Sequence, residues 1–81
     1  MARKVYVGVI ARNNEDGTVI PLSIQWKDGQ LYEIDEILDK RRAASTKAGG
    51  IGLRYTVRVR GHSTYLFYEE PKWFVEGKEQ L

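Results

Sequence analysis

Arg54–Val75, RYTVRVRGHSTYLFYEEPKWFV, reads as three consecutive antiparallel strands. Tyr55, Val57 and Val59 alternate with Arg54, Thr56, Arg58 and Arg60, the period of two that puts successive side chains on opposite faces of a strand. With Gly61-His62 as a two-residue turn, Arg60 faces Ser63, Arg58 faces Tyr65, Thr56 faces Phe67 and Arg54 faces Glu69, while Tyr55, Val57 and Val59 lie against Thr64, Leu66 and Tyr68. A four-residue loop, Glu69 to Lys72, brings Trp73 to Tyr68, Val75 to Leu66 and Phe74 to Phe67. One face of this sheet is therefore apolar, and the other interleaves arginines with aromatic rings.

The residues upstream follow the same period. Val5, Val7 and Val9 mark a first strand over about 4–11, ended by the turn-forming run Asn13-Asn14-Glu15-Asp16-Gly17. The second, Thr18 to Trp26, sets Ile20, Leu22, Ile24 and Trp26 on one side, and Pro21 in it indicates an edge or a bulge. A three-residue turn Lys27-Asp28-Gly29, with Gly29 left-handed, pairs Trp26 with Gln30, Ile24 with Tyr32 and Leu22 with Ile34; a two-residue turn would set Ile24 against Glu33. Residues 35–45 fit either a short helical turn capped by Asp35 or a bent strand with a bulge near Asp35-Glu36. Arg41 stands where a helix needs its next apolar residue, which favours the strand. Gly49, Gly50 and Gly52 make 46–52 a flexible loop, and 77–81 reads as a frayed tail. The fold class is all-β: one domain over 1–81, a small SH3-like or related antiparallel barrel of about five to six strands whose closure removes exposed edges.

A chain of 81 residues buries only about 60% of its unfolded surface, so each large apolar residue matters. With no cysteine there are neither disulfides nor thiolate zinc sites, and a reducing cytoplasm is the expected location. Met1 to Arg12 lacks the unbroken apolar core of a signal peptide, and no run is long enough to span a membrane.

Charge is segregated along the chain. Lys40, Arg41, Arg42, Lys47, Arg54, Arg58 and Arg60 fall between residues 40 and 68, where there is no acid, whereas elsewhere six basic residues are outnumbered by eleven acidic ones. That asymmetry predicts a basic surface and an anionic partner. Guanidinium groups contact phosphates and stack on bases, and aromatic rings stack on bases, so these seven residues with Tyr65, Phe67 and Phe74 form a candidate surface for single-stranded nucleic acid. The competing expectation is a protein-interaction face: an Arg54–Glu69 ion pair accounts for one arginine, and Phe67 and Phe74 would be covered by the 35–45 segment, by a second copy in a homodimer or by an acidic protein.

No reaction is indicated. His62, the only histidine, falls in a turn without metal-site partners, and the serines have no arranged base. Lys47 to Gly52 departs from the phosphate-loop pattern because its lysine precedes the glycines and a strand follows. Glu33, Asp35, Glu36 and Asp39 could hold a hard cation, but such runs are ordinarily solvated. The expectation is a non-enzymatic binding module with no cofactor, no metal and no membrane association.

Pro21, Ile24, Trp26, Asp28-Gly29, Tyr32 and Ile34, followed by Arg54-Tyr55-Thr56, Thr64-Tyr65-Leu66-Phe67 and Trp73-Phe74-Val75, resemble small uncharacterised bacterial proteins from Gram-positive organisms over roughly residues 4–76. The W-x-D-G-x-x-Y core, with its later Tyr and Trp, is similar to a domain of unknown function associated with translesion DNA polymerases. The resemblance implies an SH3-like or related barrel and a nucleic-acid setting, and carries over no catalytic residue.

Overall fold

The computed structural model describes residues 3–44 and 51–77, and every regular element among them is a strand: β1 (Arg3–Asn13), β2 (Val19–Gln25), β3 (Leu31–Glu33), β4 (Glu36–Ala44), β5 (Ile51–Val59), β6 (His62–Glu69) and β7 (Lys72–Gly77). All seven join one antiparallel sheet in the order β3-β2-β1-β7-β6-β5-β4. Consecutive strands β3 and β4 stand at opposite ends of that order, so the sheet must curl to bring its ends together. The closure lies in two neighbouring peptide groups: the Ile34 N–H donates to the Leu22 carbonyl of β2 at 2.9 Å, and the Asp35 N–H to the Arg58 carbonyl of β5 at 2.8 Å. The outcome is a curled, barrel-like sheet with one strand more than expected, because the bent strand over 31–44 divides into β3 and β4.

The 35–45 segment carries no helical turn where it is described. Glu36–Ala44 is strand, bent at Ile34-Asp35, with its register shift between Ile37 and Asp39 so that Leu38 bulges. Pro21 also sits at a bulge: Ile10 pairs with Ser23 and Ala11 with Pro21, leaving Leu22 out of the ladder. Of the Gly-rich loop expected over 46–52, Ile51 and Gly52 open β5 and the rest lies outside the described residues, as does the tail beyond Gly77. Gly52 is required by packing, since a Cβ there would collide with the Tyr68 carbonyl oxygen of β6.

The Trp26 turn forms as predicted, but the bulge reverses the expected face of β2 beyond it: Leu22 is 44% exposed and Ile20 pairs with Arg12, while the buried Pro21 and the partly buried Val19 take their places toward the core. Ile24 pairs with Tyr32, the Trp26 N–H donates to the Gln30 carbonyl, and Gly29 has φ +88°. Asp28 fixes the turn by accepting the Gln30 N–H at 2.9 Å. The next hairpin differs. Its turn is Arg60-Gly61, both at positive φ (51° and 79°), and His62 is the first residue of β6, opposite Val59. The register therefore moves by two residues: Arg58 faces Ser63, Thr56 faces Tyr65, and Arg54 faces Phe67 rather than Glu69. A shift of two preserves which face each side chain occupies, so the core is unaffected. Between β6 and β7 the loop is the two residues Glu70-Pro71, joined by a cis peptide bond, and Phe67–Phe74 and Tyr68–Trp73 pair as expected.

The concave face holds the core. Ile24, Tyr55, Val57 and Leu66 are fully buried and pack with Val5, Val59, Trp73 and Val75; burying each such side chain contributes about 1.5–3 kcal/mol. Trp73 stacks obliquely on Tyr68 and Tyr55, with ring centroids 4.4 and 5.5 Å apart. The Tyr55 hydroxyl donates to the Val19 carbonyl, so a β5 side chain ties down the start of β2 from inside the curl.

Candidate nucleic-acid interface

The convex face decides where the cations go. Along β4 and β5 the pairs Glu36–Arg58, Asp39–Thr56 and Arg41–Arg54 place Arg41, Arg54 and Arg58 together on this side. Lys40 and Arg42 pair with Tyr55 and Leu53, whose side chains belong to the core face, and the Lys40 ammonium lies 5.7 Å from the Tyr55 ring. Consecutive strand residues must diverge in this way. Arg60, in its turn, reaches over Tyr32 at 5.0 Å, and Lys47 lies outside the described residues. The seven basic residues of the sequence segment therefore do not share one surface.

Two of the convex arginines are paired with acids that immediately precede the basic run. The Arg58 guanidinium donates to Glu36 at 2.6 Å and the Arg41 Nε to Asp39 at 2.8 Å. All four side chains are exposed, and such pairs contribute only about 0–1 kcal/mol, so either guanidinium can exchange its carboxylate for another anion at little cost. Asp35 accepts the Arg60 N–H. The acids 35, 36 and 39 are thus engaged with basic residues, and among the described residues no group of three or more His, Cys, Asp or Glu side chains is placed to hold a metal ion.

Beside this row runs a stripe of rings. Tyr65, Phe67, Phe74 and Tyr6 cross β6, β7 and β1, with Phe67 and Phe74 stacked in parallel at 4.9 Å and the two tyrosines edge-on at either end. Cations flank both ends. The Arg54 guanidinium lies 4.4 Å from the Tyr65 centroid, its buried Nε without an acceptor among the described residues; Lys4 lies 5.0 Å from Phe74 and Lys72 lies 5.3 Å from Tyr6. Glu69 draws this end together by accepting from Lys4 at 3.2 Å and from the Tyr6 hydroxyl at 3.4 Å. The Glu69 hydrogen bond raises the Lys4 pKa above its ordinary value. Strand spacing makes the four-strand stripe from Arg54 to Tyr6 about 14 Å wide.

Within that stripe the expected stacking residues divide. Tyr65 is 45% exposed, whereas Phe67 and Phe74 are 3% and 2% exposed in the single chain. Neither phenylalanine offers a face to a base, because each is covered by the other, by Tyr6 or Tyr65 and, on Phe74, by the Lys4 ammonium. The 35–44 segment does not cover them; it is a strand of the same sheet. Tyr6, 49% exposed, is the second available ring. Its alternation in β1 places it on the convex face, but only the β1–β7 pairing, Tyr6 opposite Phe74, brings it into the stripe.

A second feature lies where the Trp26 and Arg60 turns meet. A cleft of about 550 Å³ is lined by Trp26, Tyr32, Val59, Arg60, His62 and Thr64, with Asp28 also on its wall. Trp26 and Tyr32 are indistinguishable from core aromatics in the sequence, and both pack against the core with one side. No helix among the described residues is long and apolar enough to cross a membrane. Comparison of the chain with protein-family models, with curated proteins and with solved structures yields no match.

Proposed function

We propose that this chain is a non-enzymatic, cytoplasmic binding module that holds single-stranded nucleic acid on its convex face, with Arg41, Arg54 and Arg58 on the backbone and Tyr65 and Tyr6 stacking on bases. The observation that carries the reading is the exposed Tyr65 ring with the Arg54 guanidinium on it, set in register beside Arg41. A ring and a planar cation already aligned lose little freedom when a base and its phosphate replace solvent, and base–ring stacking contributes roughly 1–3 kcal/mol per base. The W-x-D-G-x-x-Y resemblance agrees with a nucleic-acid setting. A protein or homodimer interface receives less support, since Phe67 and Phe74 are already buried within one chain.

Titration of labelled single- and double-stranded oligonucleotides tests this. Single strands should bind more tightly, with log affinity falling by about 0.7 per neutralised phosphate per unit of log salt. Replacing Arg41 and Arg58 by Ala should flatten that slope, while Tyr65→Ala should weaken binding and leave the slope in place. Absence of binding at low salt, or a preference for duplex, would overturn the proposal; a dimer in sedimentation burying Tyr6 and Tyr65 would favour the interaction reading.

A further inference from the structure

The cleft between the Trp26 and Arg60 turns has a chemistry of its own. Its volume, about 550 Å³, falls within the range of small-molecule sites. Two aromatic side chains, Trp26 and Tyr32, line it together with Arg60, whose guanidinium lies 5.0 Å from the Tyr32 centroid. A pocket for a quaternary ammonium would leave those faces vacant for its ligand. Here the protein itself supplies a cation at the Tyr32 ring, so the complementary ligand is planar and anionic.

Arg60 is also costly where it stands. At φ 51° it occupies the first central position of a turn whose two central residues are both left-handed, a place suited to Asn, Asp or Gly. Strain of this kind persists where surrounding structure enforces it, and the Asp35 carboxylate does so by accepting the Arg60 N–H at 3.2 Å. The turn itself does not need a guanidinium; the cleft uses one.

We propose that this cleft is a binding site for a single nucleotide, its base stacked on Trp26 and its phosphate held by the Arg60 guanidinium, which Tyr32 backs from behind. His62 and Thr64 present hydrogen-bonding groups to the edge of the base, and Asp28, which uses one carboxylate oxygen on the Gln30 N–H, has a second oxygen to accept from an exocyclic amine. The site draws on none of Arg41, Arg54, Arg58 or Tyr65, so it stands or falls apart from the convex face.

Nitrogen-labelled full chain titrated with AMP, GMP, CMP and UMP at low salt tests the site. The indole N–H of Trp26 should shift saturably while that of buried Trp73 stays still, giving an internal control. Arg60→Asn removes the guanidinium but suits the left-handed turn; it should weaken binding about tenfold, the loss of one charge-assisted contact, without lowering the melting temperature. Should that variant fold poorly, Arg60→Lys keeps the charge, lacks the planar fork, and should also bind less tightly. No movement of the Trp26 indole at millimolar concentrations of any of the four nucleotides would overturn the proposal. Shifts confined to Arg54 and Tyr65 would do so too, while supporting the convex face, and so would undiminished binding by a folded Arg60 variant.

Discussion

Tyr55→Phe tests the closure of the curled sheet from inside. Tyr55 is 1% exposed and its hydroxyl donates to the Val19 carbonyl, joining two strands that are not neighbours in the sheet. Phenylalanine keeps the ring and leaves no cavity of consequence, so the cost is the hydrogen bond plus the partly desolvated carbonyl, about 1–2 kcal/mol. At roughly 4–8 °C per kcal/mol for a domain of this size, the melting temperature should fall by about 4–16 °C. The same residue gives a pH signature. Burial pushes its hydroxyl pKa above the ordinary 10.0, so folding favours the neutral form. This stabilisation is complete below pH 10.0 and is lost as pH rises through the folded-state value. Thermal melts by circular dichroism at pH 7 and across pH 9–11 should show the gap between wild type and Tyr55→Phe closing under alkali. Equal melting temperatures at pH 7, or a gap that persists unchanged to pH 11, would refute the argument.

Other perturbations probe the remaining joints. Gly52→Ala places a methyl group against the Tyr68 carbonyl and should cost about 1–3 kcal/mol as backbone shifts to admit it; the urea midpoint reads this, and no change would mean that β5 and β6 are not so close. A Cβ at Gly29 meets open space, so the loss in Gly29→Val, expected at about 1–2 kcal/mol, reports chiefly the left-handed conformation. Trp73→Ala should cost about 3–5 kcal/mol and abolish most of the near-ultraviolet dichroism, since Trp73 is 7% exposed; a native-like spectrum would place it outside the core.

The legible parts of this fold are those set by local rules. Alternation fixed the face of every residue from Tyr55 to Val75, and Asp28-Gly29 with apolar matching fixed the register of its hairpin. The turn at Arg60-Gly61 was displaced by one residue because an arginine at a left-handed position is a poor signal, yet the two-residue shift left the core intact. Charge segregation was less transferable. Arg41 and Arg58 meet Asp39 and Glu36, acids just outside the basic run, and the alternation within Lys40-Arg41-Arg42 separates neighbours onto opposite faces. Burial of Phe67 and Phe74 on the convex side depends on Tyr6 and Lys4, which arrive only through the β1–β7 pairing. Such a contact, between residues far apart in the chain, has no local signature.

The junction at Ile34-Asp35 has a kinetic consequence. It divides the sheet into two meanders, β1–β2–β3 and β4–β5–β6–β7, each built from strands adjacent in sequence. Hairpins of that kind close in about 1–10 μs. Among the described residues, the seam joining Val5 to Val75 and Tyr6 to Phe74 is the one ladder between distant parts of the chain, and non-local pairing of this kind sets β-proteins folding in about milliseconds to seconds. Ile34-Asp35 is then the pivot about which the two meanders search for each other, and the docking of that seam sets how quickly the native state is reached.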